Sequence, residues 1–460
     1  MDELPDDVLL SIFEFCTNEV EIYASQQGWQ TLVRVCRRWR NLVFGSPRGL
    51  NLQLICTSRT PARDVLDLWP PMPLVIQSIW YYGDYPIENV DNIVAVLERR
   101  NRVCRIHING ILSLDLEKVL AAMQEPFPEL TELILRPDEK MMAVLPDSFL
   151  GGSAPHLQDL YFDGIPFPGL PKLLLSATHL TDLRLFDIPH SGYFSPEAMA
   201  TALSTLTSLE GLFFGFQSPL SLPDRPRRHP PPPKRFVIPV LTDFGFKGVG
   251  EYLEDLVVCI DAPLLNRMTI TFFNQILFDT PQLVQFISRT SALNTPEEAR
   301  VIFEDVGARV DFSSRAPYSR DLGVKILCND LDWQISSLEQ VCTWCLPPFS
   351  SLEDLYISKS PSWRSDWPDN IENSLWMELL QSFTAVKNLY LSMEFAPRIV
   401  PSLQELVGER TTEALPTLQN IFLEGLQTSG PVQEGIQQFA ATRQASQSIA
   451  VSRWDRGLEF

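Results

Sequence analysis

At 460 residues the chain exceeds the usual size of a single core, so one compact domain is expected only if the architecture is repetitive. Apolar residues make up 45%, with 27 Phe and 10 Trp, which is ample for a packed interior. Acidic side chains outnumber basic ones 57 to 37, a formal net charge of −20 that repels phosphate backbones and argues against nucleic acid as the main ligand.

The chain opens "MDELPDDVLL", with acid where a signal peptide carries positive charge, so secretion is not expected. Apolar runs such as "TITFFNQILF" fall short of the roughly 20 residues that cross a bilayer, and no membrane partner is expected. Eight scattered cysteines suit reduced thiols in the cytoplasm or nucleus.

The first predicted helix is "ELPDDVLLSIFEF". Pro5 suits its first turn, Asp6 and Asp7 sit at the positive end of its dipole, and Val8, Leu9, Ile12 and Phe13 follow helical spacing. A second helix is predicted through "LVRVCRRWRNLV". It places Leu32, Val35, Cys36, Trp39 and Leu42 on one face and Arg34, Arg37, Arg38 and Asn41 on the other, and Pro47 ends it. Two such helices give a marginal core, which predicts apolar surface left for a partner to cover.

These two half-motifs, Leu-Pro-Asp followed by an aliphatic helix and then Val-Cys-Arg-Arg-Trp, resemble an F-box. The resemblance spans roughly residues 3 to 47, and the intervening "CTNEVEIYASQQGWQ" is longer than usual, with Cys16 where leucine is common. It implies docking to the Skp-type adaptor of a cullin ubiquitin ligase through Leu4, Pro5, Val8, Leu9, Ile12, Phe13, Val35, Cys36 and Trp39. On that basis Leu4, Pro5, Ile12 and Phe13 enter adaptor grooves, Trp39 braces the helices, and the arginines stay in water or meet acidic adaptor surface.

After a connecting segment at 48–100, the chain repeats itself. "LQDLYFDGI" at 157–165 and "LQNIFLEGL" at 418–426 match in character position by position, and "LTDLRLFDI" at 180–188 and "LEDLYISKS" at 352–360 fit the same template. Matches start at Val103, Leu130, Leu157, Leu180, Leu209, Leu241, Leu265, Leu352, Val386 and Leu418, with intervals of 23 to 34 residues and one gap of 87. Because 87 is three times 29, two further repeats are expected in the gap, with strands near "RVIFED" and "GVKILC". The pattern is the strand-bearing part of a leucine-rich repeat. The asparagine of regular repeats is absent, with Ile165, Ile188 and Leu426 in its place. Helix-like stretches such as "PEAMATALSTL" (196–206) and "IENSLWMELLQSF" (371–383) lie between strands. The expected architecture is α/β: a small all-helical module at 1–47, then an irregular solenoid of parallel strands at 101–460. A proline-rich loop at 223–236 interrupts it, and a cap at 431–460 closes it with a strand at "SIAVSRW". The arrangement is similar to that of divergent fungal F-box proteins with leucine-rich repeats.

Between the two inward leucines of each template one residue faces the other side of the sheet. In order these are His107, Ile134, Tyr161, Arg184, Phe213, Gly245, Thr269, Tyr356, Tyr390 and Phe422. The preceding outward position carries Glu132, Asp159, Asp182, Asp243 and Asp354. Tyr161, Arg184, Phe213, Tyr356, Tyr390 and Phe422 are therefore candidate contacts to a protein target, in an acidic and aromatic surface suited to a basic or aromatic segment. The same rings are equally placed to stack on one another across strands.

Other motifs lead nowhere. "CTWC" at 342–345 has redox or zinc spacing but no second pair, and its amphipathic surroundings suit buried helix cysteines. The five histidines show no ligand spacing, and neither a phosphate loop nor a nucleophile elbow is present. No catalytic residue, metal site or cofactor is expected. The sequence points to a non-catalytic substrate receptor that binds the adaptor, through it a cullin, and a protein target of unknown identity. The alternative is an interaction protein outside the ligase, using the same adaptor for assembly or localisation.

Overall fold

A computed structural model describes residues 4–18, 28–46, 50, 52–78, 89–138, 144–219, 235–274, 278–314, 321–361, 371–406, 410, 413–425, 430–443 and 449–454. Two compact units divide between Phe194 and Ser195, inside the repeat region rather than at 47 or 100. Among the described residues no helix is long and apolar enough to cross a membrane.

The first unit opens with three helices, α1 (Asp6–Asn18), α2 (Gly28–Val35) and α3 (Arg37–Gly45). There follow β1 (Leu54–Cys56), α4 (Ala62–Val65), β2 (Leu74–Gln77), α5 (Val90–Leu97), β3 (Val103–Ile111) and α6 (Ser113–Ala122). β4 (Glu132–Pro137), β5 (Asp159–Asp163), α7 (Leu170–Leu174) and β6 (Asp182–Ile188) complete it. β1 to β6 pair in chain order and in parallel, because every connection carries the chain back to the same end of the sheet. The sheet thus begins at Leu54, inside the expected connecting segment. "LIC" and "LVIQ" were too short to display the template.

Register follows the repeat. Ile106, Leu133, Leu160 and Leu183 are Cα partners on successive strands and are buried, while His107, Ile134, Tyr161 and Arg184 form the next row on the opposite face. The eighth template position adopts the left-handed region at the strand end, just past it at Gly164 (φ 64°) and Gly425 (φ 63°) and one residue before it at Gly110 (φ 67°) and Asp187 (φ 46°). Only glycine, or a short Asn or Asp, adopts that conformation cheaply. Ile165 and Ile188, where an asparagine would stand in a regular repeat, are buried instead. Leu426 lies outside the described residues.

The second unit runs α8 (Pro196–Leu203), β7 (Gly211–Phe216), β8 (Phe236–Val237), β9 (Asp243–Gly248), α9 (Gly250–Val257), β10 (Ile260–Asp261), β11 (Arg267–Phe273) and α10 (Pro281–Arg289). It continues with β12 (Glu298–Glu304), β13 (Gly307–Ser313), β14 (Leu322–Leu327), α11 (Leu331–Gln340) and β15 (Asp354–Lys359). Last come α12 (Asn373–Gln381), β16 (Asn388–Leu391), α13 (Ala396–Gln404), β17 (Asn420–Glu424), α14 (Pro431–Arg443) and β18 (Ala450–Trp454). Its strand order is β7-β9-β11-β14-β13-β12-β15-β16-β17-β18, with β8 and β10 paired separately.

The expected pair of repeats between β11 and β15 is not there. The two expected strands exist, as β12 and β14, but β13 lies between them and pairs antiparallel with both. Glu304 faces Gly307 across a connection of two residues, too short for a crossover, so the segment can only fold back as a hairpin. The meander reverses the local order, leaving β14 beside β11 and β12 beside β15. Of the expected proline-rich loop, residues 223–234 lie outside those described.

Phenylalanine takes the place of leucine in the core of β7 and β9. Phe214, Phe216 and Phe246 surround Tyr252 of α9 at ring-centroid distances of 5.8, 4.9 and 5.8 Å. α9 also caps its neighbour: the buried Glu254 carboxylate accepts from the backbone N–H groups of Gln282 (3.0 Å) and Leu283 (2.7 Å) in the first turn of α10. Thr280, at the usual capping position, makes no side-chain bond to that turn. Glu254→Ala is therefore expected to lower stability by about 2 kcal/mol, the cost of two buried donors losing a charged acceptor. Urea unfolding of the full chain measures it.

Candidate protein-interaction site

"VRVCRRW" does not form one helix. α2 ends at Val35, and Cys36 is extended (φ −157°, ψ 171°) with its Sγ accepting from the N–H of Trp39 at 3.5 Å, so it caps α3. The apolar spacing runs through the break, which is why the sequence looked continuous. Phe13 is fully buried and its ring lies 4.7 Å from that of Trp39, with Leu9 buried beside α2 and α3. Phe13 and Leu9 are thus interior residues in this chain, and the expectation that Phe13 enters a partner's groove is corrected by its burial.

The residues left outside are Leu4, Pro5, Val8, Ile12, Val35 and Cys36, together with Phe15, which the sequence reading passed over. Val8, Ile12 and Phe15 are 41, 43 and 66% exposed at spacings of four and three, so one helical stripe of α1 faces solvent with aliphatic and aromatic side chains. Phe15 was legible by that spacing from Val8 and Ile12.

The arginines are used unevenly. Arg38 donates to Asp6 Oδ1 through Nε (3.0 Å) and Nη2 (2.6 Å) and to the Leu4 carbonyl, tying α3 to the start of α1. Arg40 donates to the Val33 carbonyl (3.0 Å) at the end of α2. Arg34 and Arg37 are exposed. Two of the four therefore hold the helices in place instead of waiting for a partner. Trp29, buried, donates from its indole N–H to the Gln53 carbonyl (3.1 Å) and packs edge-on to Trp69 at 5.3 Å. The helical segment is in this way anchored to the chain that follows it.

On the repeat face the candidate residues of the second unit come together. Tyr356, Tyr390 and Phe422 are Cα partners on β15, β16 and β17, and their rings stack at 4.2 and 4.5 Å. The Arg300 guanidinium lies 5.0 Å from the free end of the stack at Tyr356, and Trp454 of β18 leans over Tyr356 and Tyr390 at 5.8 and 5.6 Å. Beneath runs a polar ladder: Asn420 donates to Asn388 (2.7 Å), which donates to Asp354 (2.5 Å). On β7 the Phe213 ring lies over Gly245 of β9, where a Cβ would come within 2.1 Å of it. In the first unit Tyr161 is held between Arg136 (3.9 Å) and Phe186 (5.1 Å), and Arg184 binds Asp182 through two bonds of 2.8 and 2.9 Å.

Two of the five outward carboxylates have cations of their own, Asp182 with Arg184 and Asp243 with Arg267 at 2.9 Å, and Glu132 meets the His107 imidazole at 2.9 Å. Asp159 sits between Glu132 and Asp182, and burial followed by those two charges raises its carboxyl above the ordinary range. This face is less open to a basic segment than its composition suggested.

Cys345 is buried and its thiol is pushed up to about 12 by that burial; burial likewise raises Cys342. Thiols held protonated are poor nucleophiles and metal ligands. Among the described residues no group of three or more His, Cys, Asp or Glu side chains is placed to hold a metal ion. His156 and His179 each precede a template leucine, so the repeat brings their rings parallel at 6.4 Å beside a groove of about 460 Å³ lined also by Glu129, Thr131 and Gln158. Template position, not local spacing, was the signal for that pair.

Residues 1–46 match the F-box-like family model. No curated protein matches the chain. The solved structures that match include the leucine-rich repeat-containing protein LegL7 from Legionella pneumophila, 12% identical, with 85% of this chain and 98% of that chain covered at a TM-score of 0.29. At that score the likeness carries no argument, and the repeat assignment stands on the register above. The first 46 residues are an F-box-like domain, followed by an α/β array of leucine-rich-repeat type.

Proposed function

We propose that the chain is the substrate receptor of a Skp–cullin–F-box ubiquitin ligase, working in the cytoplasm or nucleus. The carrying observation is the solvent-facing apolar stripe of α1, Val8, Ile12 and Phe15, with Leu4 and Pro5 exposed just before the helix and Val35 exposed at the end of α2. Such a surface on a segment of this family fits an adaptor's groove, while Leu9, Phe13 and Trp39 keep its shape from within. The chain supplies position, not chemistry: holding a target lysine near a charged conjugating enzyme raises the effective concentration of the reacting groups.

The target side belongs to the outward row of the repeats. Phe213 is the best-placed anchor there, a half-exposed ring on a glycine floor. Tyr356, Tyr390 and Phe422 form one outward row of the second unit, and Tyr161 and Arg184 belong to the corresponding row of the first. Proximity labelling with the proteasome inhibited is expected to mark a protein that also accumulates on deletion of the receptor. Its labelling should fall roughly tenfold or more with Phe213→Ser at unchanged melting, as for a central aromatic anchor. Adaptor capture without cullin, and no protein that accumulates, would instead favour a role outside the ligase.

A further inference from the structure

α11 and the π-helical turn Val341–Cys345 that continues it bury one side, through Leu331, Ile335, Leu338, Val341 and Cys345. The other side carries Trp333 and Trp344, 50 and 61% exposed. The two exposed indoles stand eleven residues apart along this continuous helical stretch, away from its buried side. Exposed apolar surface rimmed by polar residues marks interaction sites, and tryptophan is enriched among the residues that anchor them.

The two segments themselves carry charge of one sign. Between Lys325 and Lys359 the chain contains no Lys or Arg, and the same is true of 371–386, which includes α12. Asp330, Asp332 and Glu339 lie along α11, and Glu372 and Glu378 come from α12, which is bonded to this turn through the Thr343 and Ser382 hydroxyls at 3.1 Å. The carboxyls of Asp332 and Glu339 are raised, first by burial and then by neighbours that include Glu372 beside Asp332 and Glu378 beside Glu339. Here carboxylates act on one another, Glu372 on Asp332 and Glu378 on Glu339, along the stretch that carries both exposed indoles. Adding positive charge relieves that repulsion, and an indole face is the best aromatic partner for a guanidinium or ammonium group.

We infer that the outer face of α11 and α12 is a docking surface for an arginine- and lysine-rich segment of a partner polypeptide. It stands whether or not the ligase role does. The test titrates the full chain with a fluorescent ten-residue peptide of alternating Arg and Gly, against a Glu–Gly peptide of equal length. Saturable binding of the basic peptide alone is expected, weakened at least tenfold by Trp333→Ser with Trp344→Ser, and to a similar extent by Asp332→Asn with Glu339→Gln. The tryptophan substitutions leave net charge unchanged and both rings are exposed, so melting should hold. Binding that survives the loss of both indoles would reduce the attraction to general charge and overturn the proposal, as would no binding at all. Wild type that self-associates through the same indoles, and ignores the peptide, would assign the face to a second copy of this chain and overturn it too.

Discussion

Val8→Asp combined with Ile12→Asp is expected to weaken adaptor capture by the full chain roughly 100-fold while leaving its melting temperature unchanged. Both residues are about two-fifths exposed, neither belongs to the buried core, and a carboxylate at either position can reach water, so the cost to the fold is small beside the cost at an interface. At an interface the same carboxylates would be buried without partners, and a few such central positions carry most of the affinity. Phe13→Ala should do the opposite: with its ring fully buried against Trp39, it should cost about 3–5 kcal/mol of stability and lose binding only as a consequence. Surface plasmon resonance on immobilised adaptor, run beside calorimetric melting, separates the two. Equal binding losses with equal melting losses for both variants would mean that the exposed stripe is not the contact.

Gly307→Val is expected to destabilise the second unit by about 3 kcal/mol, the scale of a strained backbone residue with a forced clash. Its φ is +148°, a region open essentially to glycine alone, and a Cβ there would lie 2.2 Å from the Ile326 carbonyl oxygen on β14. The neighbouring strand cannot retreat without breaking the pairing of Ala308 with Ile326. The position closes the hairpin that reverses the sheet, so the loss should appear in unfolding of β12 to β14 by hydrogen exchange, with β16 and β17 affected less. A neutral substitution would mean that the meander is not formed as described.

The template carried the sequence far because side chains alternate along a strand. Two inward leucines fix which residue faces out, and Tyr356, Tyr390 and Phe422 accordingly fall in one row. The meander was illegible for the same reason: "RVIFED" and "GVKILC" alternate as repeats do, and nothing in alternation distinguishes parallel from antiparallel pairing. The two-residue turn at Asp305 and Val306 was the signal, hidden by a gap that happened to equal three periods. At the N-terminus both half-motifs were readable, but periodicity could not say which apolar residues face inward. Phe13 and Ile12 are adjacent in sequence and opposite in fate, because only Phe13 meets Trp39 across the helices. The pairing of the outward carboxylates depended on cations two residues or a whole repeat away, as Arg184 to Asp182 and Arg267 to Asp243 show, and composition records neither.

Hydrogen–deuterium exchange on the full chain with and without purified Skp-type adaptor goes straight to the main assertion, that the opening residues are a handle for another polypeptide. Slowed exchange should appear in peptides covering 4–15 and 34–42 and leave the strands from β3 onward untouched. Unchanged exchange at both stretches under saturating adaptor, or slowing confined to the strands, would remove the basis for assigning this chain to the ligase.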